Sequence, residues 1–111
     1  MRDHPGFWCR NRIAFHEPDY LPDNDLTPDV SEYNCYMCAT GHSAARSITN
    51  FDGGYNGQIL IIKGANPTYK TTLSDGTYLK LNGDWVEALN STITLIRISG
   101  VWYELCRSVN G

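Results

Sequence analysis

Three residues in the middle of the chain have the spacing of metal ligands. They are Cys35, Cys38 and His42, in the order Cys-x₂-Cys-x₃-His. Thiolate sulfur and imidazole nitrogen are the usual ligands of tetrahedral zinc, so this segment offers three corners of a site, and Cys9 or His16 can supply the fourth. A zinc ion held by Cys9, Cys35, Cys38 and His42 would clamp the irregular N-terminal third of the chain onto the rest.

The cysteines can also serve without a metal, and the sequence leaves this open. A single Cys-x₂-Cys pair lacks the second pair that defines a zinc ribbon, and unpaired cysteine is often a small buried hydrophobic residue. Cys106, between Leu105 and Arg107, fits that description. Disulfides would need an oxidising environment. The cysteines are thus expected to bind zinc, to pair, or to remain free.

Residue types suited to catalysis occur only in isolation. Ser43 follows His42 directly, and the chain contains no G-x-S-x-G turn. A nucleophile needs a base within hydrogen-bonding reach, and adjacency in sequence does not provide that geometry. We therefore expect no enzyme activity.

The first 32 residues differ in composition from the remainder. They hold seven acidic and three basic residues, and residues 17–29 contain three of the five prolines. Proline removes backbone donors, so residues 1–32 are predicted to form an extended, acidic connector. Its aspartates lack the glycine and terminal glutamate of an EF-hand loop, which indicates a solvated loop and not a calcium site. They are Asp19, Asp23, Asp25 and Asp29.

Residues 33–111 have the pattern of a β-domain. Apolar and β-branched runs alternate with turn-forming Gly, Asn, Asp and Ser, while no window has the periodicity of a stable helix. We predict an all-β fold of short antiparallel strands, forming a β-sandwich or a β-prism-like subunit. The run Ile59–Ile62 is apolar on both faces, so it requires cover on both sides, which a partner subunit would supply. The predicted strands are 47–51, 58–63, 70–74, 77–81, 86–89, 92–98 and 101–108.

Composition excludes two classes of partner. The net charge is −3 over 111 residues and no Lys/Arg block occurs, so we expect no nucleic-acid binding. The longest aliphatic run has four residues, Ile59–Ile62, so we expect no insertion into a membrane. The N-terminus lacks the apolar core of a signal peptide.

One segment resembles a known family. Residues 47–58 read S-I-T-N-F-D-G-G-Y-N-G-Q, and the last predicted strand carries Gly100, Trp102, Glu104 and Arg107 in the pattern G-x-W-x-E-x-x-R. This order of features resembles the C-terminal β-rich trimerisation or tip module of phage tailspike and tail-fibre proteins, whose bodies are often pectate-lyase-like β-helices. The resemblance implies a homotrimeric structural module of the virion tail, made in the host cytoplasm and then exposed to the extracellular medium.

Two groups of residues would serve such a module. Threefold packing or the core would use Phe51, Ile59, Ile61, Leu95 and Trp102. Binding of a host-surface polysaccharide or receptor would use surface aromatics, in particular Tyr36 and Tyr55, because sugar faces stack on aromatic rings. The alternative is a small zinc-stabilised β interaction domain unrelated to phage tails.

Overall fold

The strands lie where the apolar and β-branched runs of the sequence lie. The structure, a computed structural model, describes residues 14–15, 17–38, 43–65 and 68–111, and within these ranges it contains strands and no helix. It therefore has no apolar helix there that could cross a bilayer. The strands are β1 Asp19–Tyr20, β2 Cys35–Met37, β3 Arg46–Ile48, β4 Ile59–Lys63, β5 Thr71–Leu73, β6 Leu79–Lys80, β7 Trp85–Val86, β8 Thr92–Ile98 and β9 Val101–Ser108.

The strands form two mixed sheets. The larger has the order β1-β2-β4-β8-β9-β6, and the smaller has the order β3-β5-β7. The all-β prediction is confirmed, and each of the seven predicted strands overlaps an observed one. Two short strands, β1 and β2, were not predicted.

The prediction of antiparallel strands is only partly right. Among the described pairings, β4–β8, β8–β9 and β5–β7 are antiparallel, whereas β1–β2, β2–β4, β3–β5 and β6–β9 are parallel. Turn signals in a sequence report local hairpins such as Ser99-Gly100, where both residues have positive φ, 50° and 82°. Parallel neighbours are joined by longer crossovers that such signals do not reveal.

One core lies between elements of both sheets. In β4 and β8 burial alternates, so that Leu60, Ile62, Ile93 and Leu95 are buried while their neighbours are not. The smaller sheet contributes its own buried row, Ile48, Leu73 and Trp85, to the same cluster. Period-two burial is the expected result when a sheet packs by one face.

Trp102 closes one end of this core. Its ring lies edge-on to that of Phe51, with centroids 6.1 Å apart and planes at 80°, and its Nε1 donates to the Phe51 carbonyl oxygen. Gly54 is required here by space, since a Cβ at that position would lie 2.5 Å from Trp102 Cζ2. Gly53 and Gly57 are required by positive φ, 74° and 92°.

The acidic segment packs against the sheets. Leu21 and Val30 are buried in the core, and β1 pairs with β2. The amide of Gln58 donates to the carbonyl oxygens of Val30 and Tyr33, and its oxygen accepts from the Tyr55 amide. Gln58 thus satisfies backbone groups at the turn, as its position in the sequence suggests.

A fully buried carboxylate links the two sheets. Glu87 Oε1 accepts from the Thr71 amide at 2.7 Å, and Oε2 accepts from the Ala65 amide at 2.8 Å. Ala65 follows β4 of the larger sheet and Thr71 begins β5 of the smaller one. The two oxygens therefore hold the β4–β5 connection at both of its ends.

Arg46 extends this link to the acidic segment. Its Nε donates to Thr71 Oγ1 at 3.2 Å, and its Nη1 donates to the carbonyl oxygens of Pro22 and Asp25. Burial lowers the pKa of the guanidinium, and the charge of Glu87 is among those that oppose this shift. The segment 22–25 is therefore fixed by hydrogen bonds from the first residue of β3.

Gly64 provides a test of the packing between β4 and the β7–β8 connection. A Cβ there would collide with the Ala88 carbonyl oxygen and lie 3.0 Å from Ser91 Oγ. We expect Gly64→Ala to lower the free energy of unfolding by about 1–3 kcal/mol, as overpacking does. Urea denaturation measures the change.

Gly76→Ala is the matched control. The nearest atom to its added Cβ would be the Ser74 carbonyl oxygen at 3.8 Å, an ordinary contact. Its free energy of unfolding should stay within about 1 kcal/mol of the unsubstituted chain. Equal stability of the two variants would contradict the close approach at Gly64.

Candidate functional site

A surface cleft among the described residues lies beside β1 and β2. Its volume is about 410 Å³, within the range of small-molecule sites. Three tyrosines and three carboxylates line it, together with Pro22 and Ser31. The tyrosines are Tyr20, Tyr33 and Tyr36, and the carboxylates are Asp19, Asp29 and Glu32. No lysine, arginine or histidine is among these lining residues.

Two of the tyrosines form a corner of the cleft. The rings of Tyr33 and Tyr36 have centroids 6.0 Å apart and planes at 64°. Tyr36 pairs with Ile62 in the sheet and is 4% exposed, so its ring is held rigidly. Tyr20, on β1, is 56% exposed at the rim. Strand pairing thus positions two of the three rings, and the 30–34 connection positions the third.

The carboxylates give the cleft a negative potential. Asp29 Oδ1 accepts from the Ser31 amide at 2.7 Å, and hydrogen bonds from the Ser31 hydroxyl and amide lower the pKa of Asp29. It is therefore ionised at neutral pH. Burial raises the pKa of Tyr36, and the charges of Asp19, Asp29 and Glu32 raise it further.

A smaller hollow continues the cleft. It has a volume of about 190 Å³ and is lined by Glu17, Pro18, Asp19 and Tyr33. Asp19 and Tyr33 line both cavities, so they form the ridge between them. The combined groove can hold a ligand longer than the main cleft alone.

The structure brings one of the two predicted glycan-binding residues into this cleft. Tyr36 lines it, whereas Tyr55 is 67% exposed in the turn after β3 and is not among the lining residues. The carboxylates Asp19 and Asp29 were interpreted as a solvated loop. Between residues 19 and 36 these two carboxylates occur together with Tyr20, Tyr33 and Tyr36. This mixture of acidic and aromatic residues in one short segment is the sequence signal that indicates a shared site.

Two of the four predicted zinc ligands, Cys35 and Cys38, lie within the described residues. Cys9 and His42, and the alternative ligand His16, lie outside the described residues, so the four-residue site stays a prediction. The described histidines, cysteines and carboxylates form no cluster of three that could hold a metal ion. Burial alternates from Cys35 to Cys38, so Cys38 points to the core while Cys35 belongs to the opposite face of β2.

The larger sheet has a second face, directed away from the core, which we call the outer face. Its register places Ile59 opposite Ile96 and Ile96 opposite Tyr103, in a row across three strands. None of its described strand residues is fully buried. Its apolar members are Tyr20, Cys35, Met37, Ile59, Ile61, Ile96, Ile98, Val101, Tyr103 and Cys106.

The residues predicted for threefold packing or the core divide between the two faces. Phe51, Leu95 and Trp102 are buried in the core, at 2% exposure or less. Ile59 and Ile61 are half-buried on the outer face. Only the last two are placed where a partner subunit could touch them.

No known protein family matches this sequence, and no characterised protein is significantly similar to it. The resemblance to tail-fibre modules therefore rests on the residues quoted for it.

The cysteines provide a test of the two faces of β2. Burial raises the pKa of the Cys38 thiol to about 12, helped by the charge of Glu87, and burial also raises the pKa of Cys35. The thiolate is the reactive form, and a shift of three pKa units lowers its fraction roughly a thousandfold. Cys106 is exposed. We expect N-ethylmaleimide to label Cys106 first and Cys38 last, measured by peptide mass mapping of the native chain.

The chain unfolded in urea is the control, in which all cysteines should react at similar rates. Labelling of native Cys38 as fast as Cys106 would contradict its placement in the core.

Proposed function

We propose that this chain is a structural and attachment module of a viral, phage-like tail fibre or tailspike, and that it assembles as a homotrimer through its outer face. Such a module is made in the host cytoplasm and works in the virion tail, in contact with the extracellular medium. Its role is assembly and attachment to a host-surface polysaccharide or receptor, and not catalysis.

The apolar character of the outer face is the observation that carries this proposal. Contiguous apolar surface is favoured to leave water, at about 25 cal/mol per Å², and large patches mark interaction surfaces. The central row of the outer face consists of Ile59, Ile96 and Tyr103, and none of the three is fully buried. On the core side of the same strands, Leu60, Leu95 and Trp102 are fully buried. Burial against another molecule would remove this row from water.

A second copy of the chain can cover this face without burying a charge between Ile59 and Ile96 of its central row. Lys63 and Lys80 are the charged residues among the described outer-face strand positions; Lys63 lies opposite Thr92, and Lys80 lies opposite Tyr103 at the end of the central row. Identical faces can therefore meet without strong repulsion at their centre. Closed rotational symmetry is the usual result when one chain associates with itself. The threefold order follows from the resemblance to tail-fibre modules.

Native mass spectrometry tests the assembly. We expect a species at three times the subunit mass of 12.5 kDa. Ile98→Lys, which places a charge on the outer face, should shift this species toward monomer, because an ammonium group is costly to bury. Ile98 is 50% exposed, so the substitution leaves the core intact.

Val86→Lys is the matched control. Val86 is 52% exposed and lies on the smaller sheet, opposite in direction to the buried Trp85. It should leave the trimer unchanged. A monomeric unsubstituted chain would overturn the proposed assembly, and dissociation by Val86→Lys alone would assign the interface to the other sheet.

The same spectrum tests the zinc site. One zinc per subunit, lost on strong chelation, would support the set Cys9, Cys35, Cys38 and His42 and with it the alternative of a zinc-stabilised interaction domain. A metal-free trimer would favour the tail-fibre module.

A further inference from the structure

The cleft beside β1 and β2 combines two features that together select a class of ligand. Aromatic walls bind the flat apolar faces of many molecules, including sugars. Ionised carboxylates beside the same walls make the site selective, because they favour positive charge and oppose negative charge.

Charge separates the candidate ligands first. Asp19, Asp29 and Glu32 all line the cleft, and no basic side chain is among the described residues that line it. The depressed pKa of Asp29 keeps that carboxylate ionised at neutral pH. Sulfate, phosphate, uronic acids and sialic acids would all meet repulsion here. Carboxylates also accept hydrogen bonds from the hydroxyl groups of a neutral saccharide, so a neutral sugar is the competing ligand that the titration has to separate from a cation.

The geometry of the cleft favours an organic ammonium group over a metal ion. A bare metal ion needs several oxygen ligands converging at one point, and the described residues hold no such cluster. An organic ammonium instead uses ring faces, which attract it when it lies within about 6 Å of the ring centroid. Tyr33 and Tyr36 meet edge to face and Tyr36 is 4% exposed, so the rings that a ligand in the cleft can contact are those of half-buried Tyr33 and of Tyr20, which is 56% exposed.

Volume indicates that the ammonium group belongs to a larger molecule. The main cleft of about 410 Å³ exceeds what a small ammonium head group fills, and the hollow beyond Asp19 and Tyr33 adds about 190 Å³ of similar character. Glu17 and Pro18 also line that hollow.

From these observations we propose that the cleft lined by Tyr20, Tyr33, Tyr36, Asp19, Asp29 and Glu32 binds a ligand through an ammonium group. The rings of Tyr20 and Tyr33 contact the cation, and the carboxylates that line the cleft compensate its charge. Tyr20 belongs both to the cleft and to the outer face, and the mass measurement reads trimer assembly separately from this binding.

Choline and 3,3-dimethyl-1-butanol form a matched pair of probes. They have the same shape, but the quaternary nitrogen of one is a neutral carbon in the other. Titration of the full chain, followed by ¹H–¹⁵N chemical shifts, should show saturable binding of choline with shifts at residues 19–36. The neutral alcohol should bind about tenfold more weakly or less, and added NaCl should weaken choline binding.

Substitutions test whether choline binds in this cleft. Glu32→Gln removes one exposed charge of the cleft and should weaken choline binding by about two- to tenfold; Tyr33→Leu should weaken it by about two- to thirtyfold. The matched controls are Asp75→Asn and Tyr78→Leu, which remove a charge and an exposed ring outside the cleft. Asp75 accepts from the Leu81 amide, and the side-chain amide oxygen that Asp75→Asn introduces can still do so. Neither control should change the affinity.

Three results would overturn the proposal. Equal affinity for choline and the neutral alcohol would show an apolar site without charge selection. Binding of methyl β-glucoside but not choline would show a neutral-saccharide site. Absence of saturable binding of choline up to about 50 mM would exclude an ammonium site of any useful affinity.

Discussion

The buried carboxylate of Glu87 is the constraint on which both sheets depend. Removing a charge from water costs several kcal/mol, and here hydrogen bonds from the Ala65 and Thr71 amides offset that cost. Both amides would be left without an acceptor if the carboxylate were absent, each at about 1–3 kcal/mol. Arg46, bonded to Thr71 Oγ1, carries the same network to the carbonyl oxygens of Pro22 and Asp25. The candidate cleft, which includes Pro22, is thereby connected to the core.

Sequence patterns predicted the strands from residue 47 onward because each depends on local chemistry. Period-two alternation and turn residues are sufficient to place β4, β8 and β9. The direction of pairing depends on which distant strand becomes the neighbour, and no local signal carries that information. β1 and β2 were missed for the same reason. They have two and three residues, and each becomes a strand only because the sheet extends to it.

The cleft was partly predictable. Aromatic residues were proposed as binding groups, and Tyr36 does line the cleft, but the carboxylates were assigned to solvent. Their role depends on the parallel pairing of β1 with β2, two strands separated by residues 21–34, which brings Asp19 opposite Tyr36. Trp102 shows the opposite case, since its aromatic area suits a core and an interface equally well. Only the contact with Phe51 and the space left by Gly54 place it inside.

The two edge strands of the larger sheet limit how the molecule can associate with other chains. β1 and β6, its outermost strands, have only two residues each. An outermost strand exposes unpaired backbone amides and carbonyls that can template the addition of another chain, and shortness is one way in which natural proteins limit this growth. Lateral extension into a continuous intermolecular sheet is therefore disfavoured. Association that uses side chains, and that stops at a defined number of subunits, remains open to this fold.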